Sequence, residues 1–152
     1  MSITASQNRL KLSTFKLNAL LGMAQAISAE LKTEELIDRF KRILNDDLGI
    51  DRILLYKIEE GKWQLLLNSN CPERVVENIN VERDLLPFNE ITFVGVSENP
   101  ILLELDVIIP VIQNNQPVGY VLIGDTNEYE KGVSATIRHL NFVQTLSIII
   151  FV

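Results

Sequence analysis

Two stretches of apolar sequence, each folding back across a polar turn, constrain this chain more than any other feature. From Arg52 to Glu59, Ile53 and Leu55 face one way while Leu54, Tyr56 and Ile58 face the other. Apolar residues on both faces predict a central strand covered on both sides. Glu60-Gly61 supplies the turn, and Trp63, Leu65 and Leu67 alternate with Gln64, Leu66 and Asn68 in the return strand. The second pair runs from Leu105 to Gln113, turns at Asn114-Asn115-Gln116-Pro117, and returns from Val118 to Ile123. Tight turns of this kind join antiparallel neighbours. Pro110 cannot donate to a ladder, so it predicts an edge position or a bulge there, and Gly119 predicts a close approach or a bend.

Helical periodicity flanks the hairpins. Residues 9–31 read as a helix in which Leu10, Leu17, Ala24 and Leu31 recur every seven residues, with Leu20, Leu21 and Ile27 between them. This seam suits a partner helix, or packing on the chain's own domain. Thr33 is the expected N-cap of a second helix, with Glu34 and Glu35 in its first turn. Leu36, Ile37, Phe40, Ile43, Leu44 and Leu48 form its apolar stripe, and Gly49 its stop. Ser134 is the expected cap of a last helix whose apolar stripe, from Ile137 to Ile150, needs both the sheet and another helix as partners. The sequence closes on Ile148-Ile149-Ile150-Phe151-Val152, which predicts a helix running on into a longer polypeptide. Between the hairpins, residues 69–104 are polar and irregular: Pro72 starts a short helix to Asn78, Leu86-Pro87 breaks structure, Ile91–Val96 is a candidate strand, and Pro100–Glu104 a helical turn. The fold class is therefore α+β, a single antiparallel sheet flanked by N- and C-terminal helices.

Composition narrows the function. The 152 residues carry 14 basic and 20 acidic side chains, a net charge of −6. The acidic excess lies between Glu73 and Glu104, which disfavours a nucleic-acid partner. Val107 to Gly124 lacks charge for 18 residues, but its two prolines and polar turn argue against a membrane span. One cysteine, Cys71, and one histidine, His139, exclude an intrachain disulfide and a Cys/His zinc site. No glycine-rich phosphate loop occurs. With no signal segment, a reduced cytoplasmic setting is the expectation.

Few residues suggest a site. Trp63 reads as core packing or a stacking contact to a ligand. Cys71 sits at a strand-to-loop junction, as an inert small side chain or a ligand contact, with no neighbouring base in sequence to activate it. His139 reads as an interface or surface residue. Asp125, Glu128 and Glu130 read as a solvated acidic turn rather than a metal site. No catalytic residue, metal or resident cofactor is expected.

The order of elements resembles a GAF domain over residues 16–152, with residues 1–15 as a helical lead-in. The resemblance is carried by the Leu36–Gly49 helix followed by Ile50-Asp51-Arg52-Ile53-Leu54-Leu55-Tyr56, and by Val107-Ile108-Ile109-Pro110-Val111, a polar turn, and Pro117-Val118-Gly119-Tyr120-Val121-Leu122-Ile123. It implies a non-catalytic sensor module of a signalling protein, in which terminal helices build a parallel dimer bundle and a pocket can take a small ligand. The implied dimer interface is Leu10, Leu17, Leu21, Ala24, Leu140 and Ile150. Leu17–Leu31 and Gly119–Asp125 also resemble the regulatory segment ahead of bacterial serine phosphatases of the sporulation and sigma-regulator type, which implies an output domain downstream in the same polypeptide. The pattern departs from bilin-attaching members, since Pro72 rather than His follows Cys71, and no Asn-Lys-X-Asp signature of the cyclic-nucleotide branch is present. Three readings stand: a dimeric regulatory module with a small ligand, the same fold as a ligand-free dimerisation scaffold, and a stand-alone enzyme using Cys71 or an acid pair.

Overall fold

The computed structural model describes residues 2–94, 99–125 and 135–151, and the side chains of 2–6 and 8 are not among those described. Helix α1 spans Ser2–Ser28. It starts earlier than the periodicity predicts and stops before Leu31, because Glu30 turns into the left-handed region at φ 58. The amide of Leu31 then closes onto the Ala26 carbonyl at 3.1 Å. One side of α1 packs Phe15, Ala19, Leu20, Met23 and Ile27 against the core. The other side leaves Leu10, Leu17 and Leu21 in solvent.

Helix α2 spans Thr33–Arg42 and runs into a π-helical turn at Ile43–Asp47. Its N-cap is Lys32 in an extended conformation, not Thr33, which is the first helical residue. Glu34 and Glu35 at the start and Arg39, Lys41 and Arg42 at the end match the helix dipole. The wider π turn keeps Leu44 and Leu48 on the face begun by Phe40, so all three are buried. Gly49 ends the helix at φ 75, and the Ile50 amide reaches back to the Leu44 carbonyl at 2.9 Å. Glycine takes this conformation without the steric cost a Cβ would bring.

Five antiparallel strands form one sheet in the order β2-β1-β5-β4-β3: β1 Arg52–Glu59, β2 Lys62–Ser69, β3 Thr92–Phe93, β4 Val107–Gln113 and β5 Gln116–Gly124. β1 is central, as predicted. The regular alternation expected in β2 fails at a bulge: Leu55 pairs with Leu67 and Tyr56 with Leu65, which leaves Leu66 as the extra residue. Leu66 and Leu67 therefore both pack on the helical side, Trp63 on the other, and Leu65 is exposed. Pro110 pairs with Tyr120 on β5, while β3 reaches Val107 and Ile108, so among the described residues Pro110 has strand pairing on one side.

Side-chain alternation divides the interior into two cores. On one face Ile53, Leu55, Ile109, Val121 and Ile123 meet Met23, Phe40, Leu44, Val143 and Leu146 from the helices. On the other, Leu54, Tyr56, Ile108, Tyr120 and Leu122 meet the segment between the hairpins. Fully burying one such aliphatic side chain contributes roughly 1.5–3 kcal/mol. The chain finishes with α5, Ala135–Arg138, and α6, Leu140–Ile150. α6 packs on α1, α2 and β4, the two kinds of partner its wide stripe requires. The last helix is interrupted at His139, and the expected cap, Ser134, lies outside the described residues.

Candidate functional site

The segment between the hairpins forms a lid on the sheet face opposite the helices. It contains α3 Glu73–Glu77, α4 Val81–Asp84, and a 3-10 turn at Pro100–Glu104. Pro72 precedes α3, and Asn78 ends it, as the sequence predicts. α4 was not foreseen: Asn80 caps it by accepting from the Arg83 amide at 3.0 Å. The expected strand over Ile91–Val96 is only Thr92–Phe93 among the described residues, and 95–98 lie outside them.

Two carboxylates hold the lid. Glu104 accepts from Arg52 on β1 at 2.9 Å and from Arg74 on α3 at 2.7 Å. Its carboxyl is held below the ordinary range, first by the Arg74 hydrogen bond and then by Arg52. Asp84, whose side chain is 5% exposed, accepts from the Asn80 amide at 2.8 Å, from Arg83 Nε at 2.8 Å and from Asn99 at 3.0 Å. The Arg83 hydrogen bond is the main cause that lowers its pKa. Thus the acidic run between Glu73 and Glu104 contains two anchored carboxylates that close the lid over apolar side chains.

Beneath the lid, Val81, Leu85, Leu102 and Leu105 fill the space over Tyr56, Tyr120 and Leu122. Trp63 and Cys71, the two sequence candidates, both border this core. The Trp63 and Tyr120 rings lie 5.4 Å apart at 48°. The Tyr120 hydroxyl donates to the Phe88 carbonyl at 3.3 Å. The Tyr56 hydroxyl is buried with no partner, and burial, with the Cys71 and Asp84 charges behind it, pushes its pKa up to about 12. Cys71 is 8% exposed, and burial pushes its thiol up to about 11. A thiol in that range is almost wholly protonated at neutral pH and a poor nucleophile. The sequence reading missed both tyrosines. The available signal was a hydroxyl-bearing residue at a buried position of a central strand.

The predicted interface residues divide. Leu10, Leu17 and Leu21 are 68%, 57% and 51% exposed, and Ala24 is exposed beside them. Leu140 and Ile150 are half-buried and pack against the helical core, whereas Ile137 and Ile148 are the exposed apolar residues of α5 and α6. His139 is not a surface residue: it is 7% exposed, its Nδ1 is buried without a partner, and burial together with Lys16 and Arg138 lowers its pKa to about 4. The break between α5 and α6 turns its ring inward. Asp125 donates its amide to Asp106 and accepts the Ala135 amide at 3.0 Å, which joins β5 to the start of α5. Glu128 and Glu130 lie outside the described residues. Among the described residues no group of three His, Cys, Asp or Glu side chains is placed to hold a metal, and no helix is long and apolar enough to cross a membrane.

No protein-family model matches the sequence, and comparison with curated proteins finds none that matches it. Solved structures do match the fold. A GAF domain from Pseudomonas syringae pv. tomato, from a protein described as a sensor histidine kinase, superposes with a TM-score of 0.59 at 13% identity, covering 99% of this chain and 89% of that one. The GAF domain of an Acinetobacter phosphoenolpyruvate-protein phosphotransferase gives 0.57 at 14% identity, covering 90% and 93%. Residues 122 to 287 of a methyl-accepting chemotaxis protein give 0.55 at 11% identity, covering 88% and 96%. The chain therefore has the GAF fold.

Proposed function

We propose that this GAF-fold chain is a non-catalytic regulatory module of a signalling protein that forms a homodimer through α1. The observation that carries the reading is the stripe of Leu10, Leu17 and Leu21, spaced by seven and four residues and more than half exposed on a 27-residue helix. Ala24 continues the stripe, and this spacing is that of a two-helix seam. Six leucines, three from each copy, would leave water at roughly 1 kcal/mol apiece for the exposed fraction. The matched folds come from a sensor kinase, a phosphotransferase and a chemotaxis protein, which supports a regulatory role. Leu140 and Ile150 contribute by holding α6 against the core, with Ile137 and Ile148 at the outer surface. The output is a downstream domain of the same polypeptide, such as a bacterial serine phosphatase, and the working compartment is the cytoplasm.

Light scattering tests the dimer. The parent protein is expected to be a dimer, and Leu17→Glu with Leu21→Glu a folded monomer with unchanged circular dichroism. A parent that stays monomeric at the highest attainable concentration overturns the reading.

A second reading has its own observation. The partnerless Tyr56 hydroxyl in the lid core is a place where a small, mostly apolar ligand could supply one hydrogen bond. The apolar side chains that already fill that core favour the ligand-free scaffold instead. Native mass spectrometry on untreated protein separates the two, since a ligand adds mass that a denaturing run removes.

A further inference from the structure

The end of α6 is seated on the sheet at one glycine. Phe151 follows the helix and is 8% exposed. Its ring occupies the place where a Cβ on Gly119 would stand, so any larger residue there would force the ring to move. Gln113 Nε2 donates to the Phe151 carbonyl at 2.9 Å, and the Phe151 amide returns to the Ile148 carbonyl. β4 and β5 thus grip the last turn of α6 from both sides of their hairpin.

The same backbone serves the lid core. Tyr120, next in the chain, points to the opposite face, is wholly buried, and packs its ring against Trp63. The ladder is irregular beside this point. Val111 pairs with Gly119 but Ile112 with Pro117, so Val118 is the extra residue of a bulge. Gly119 and Tyr120 themselves are paired on both sides, with Lys57 and Tyr56 on β1 and with Val111 and Pro110 on β4. The Gly119–Tyr120 peptide is therefore held as one unit that carries the lid core on one face and the end of α6 on the other, so a shift of its backbone moves both.

We propose that packing of the lid core on Tyr120 and seating of Phe151 on Gly119 are energetically coupled through this peptide, so that a rearrangement under the lid shifts the end of α6. This deepens the regulatory reading and rests on it for its purpose. Phe151 belongs to the helical core and Trp63 packs on the lid core, so independent behaviour is the expectation if no coupling exists.

A double-mutant cycle tests it. Unfolding constants in urea are measured for Trp63→Phe, Phe151→Leu, and the pair. Coupling predicts that the double variant departs from the product of the single effects by at least about threefold, beyond the scatter of separate sites. Phe151→Leu paired with Gly49→Ala, whose new Cβ would meet only the Ala135 side chain and not Gly119 or Tyr120, is the control and is expected to be additive. Should the Phe151 variants not fold, Gln113→Ala removes only the hydrogen bond. The emission of Trp63, the sole tryptophan, is then expected to shift. Additivity in the Trp63–Phe151 cycle overturns the proposal, as does an unchanged Trp63 emission where Gln113→Ala is the variant used. The dimer reading fails separately: it is judged by light scattering, and a monomeric parent would leave this cycle interpretable.

Discussion

Acidification below neutral pH is expected to destabilise the fold through His139. Its imidazole is 7% exposed, Nδ1 has no partner, and Lys16 on α1 and Arg138 on α5 oppose a further positive charge. Burial is the largest cause lowering its pKa from 6.5 to about 4. The unfolded chain then binds a proton that the folded chain refuses, so stability is full above the unfolded value and falls as pH drops toward the folded one. The loss amounts to at most about 3 kcal/mol, taken at 1.36 kcal/mol for each pH unit. Asp106, raised by burial, titrates with the opposite sign. Asp84 and Glu104 have lowered values, and their contributions are lost as pH falls through their folded pKa values. The difference between parent and a His139→Leu variant isolates the histidine. Urea unfolding at several pH values between about 7 and 4 should show the parent losing stability toward low pH more steeply than the variant. The single imidazole also titrates without ambiguity in an NMR spectrum. An NMR pKa near its ordinary value, or parallel stability curves for the two proteins, would refute the reasoning.

Other substitutions probe the lid and the helix end. Gly49→Ala has room, since the new Cβ would lie 3.9 Å from the Ala135 Cβ, so its cost is backbone strain at φ 75. A lowered urea midpoint corresponding to about 1–2 kcal/mol is expected. Asp84→Ala removes the acceptor of the Asn80 amide and one of the two acceptors of the Asn99 side chain, and should cost about 2 kcal/mol while increasing protease cleavage within 78–94. With its thiol pushed up to about 11, Cys71 should react with a thiol reagent far more slowly in the folded protein than after unfolding in urea. Equal rates would show that the thiol is neither buried nor shifted.

The strands were legible because their signals are local. Apolar residues on both faces of Arg52–Glu59 marked β1 as central, and Gly49, Pro110 and Gly119 each announced a backbone requirement that the structure contains. What the sequence hid depends on tertiary packing. Leu66 gives no local sign that it is a bulge, because Leu65, Leu66 and Leu67 are chemically alike and only the two cores distinguish them. Nothing at His139 marks a helix break or an inward ring, since no proline or glycine is there. The lid was read as polar and irregular because its acids are visible in sequence, whereas the arginine and asparagine partners of Asp84 and Glu104 are up to 52 residues away. Trp63 and Cys71, singled out in the sequence, border the lid core, and Tyr56 and Tyr120, whose hydroxyls lie in it, passed as ordinary strand residues.

The sheet's outer margins bear on self-association. Among the described residues, β2 is an eight-residue strand with one side unpaired, and β3 shields the first two residues of β4. Open margins of this kind can template fibrils. The Leu66 bulge twists one margin away from a flat partner, and Pro110 has no N–H to give a strand added at the other. These features let the sheet remain finite where no strand among the described residues closes either end, while any copy-to-copy association is left to its helices.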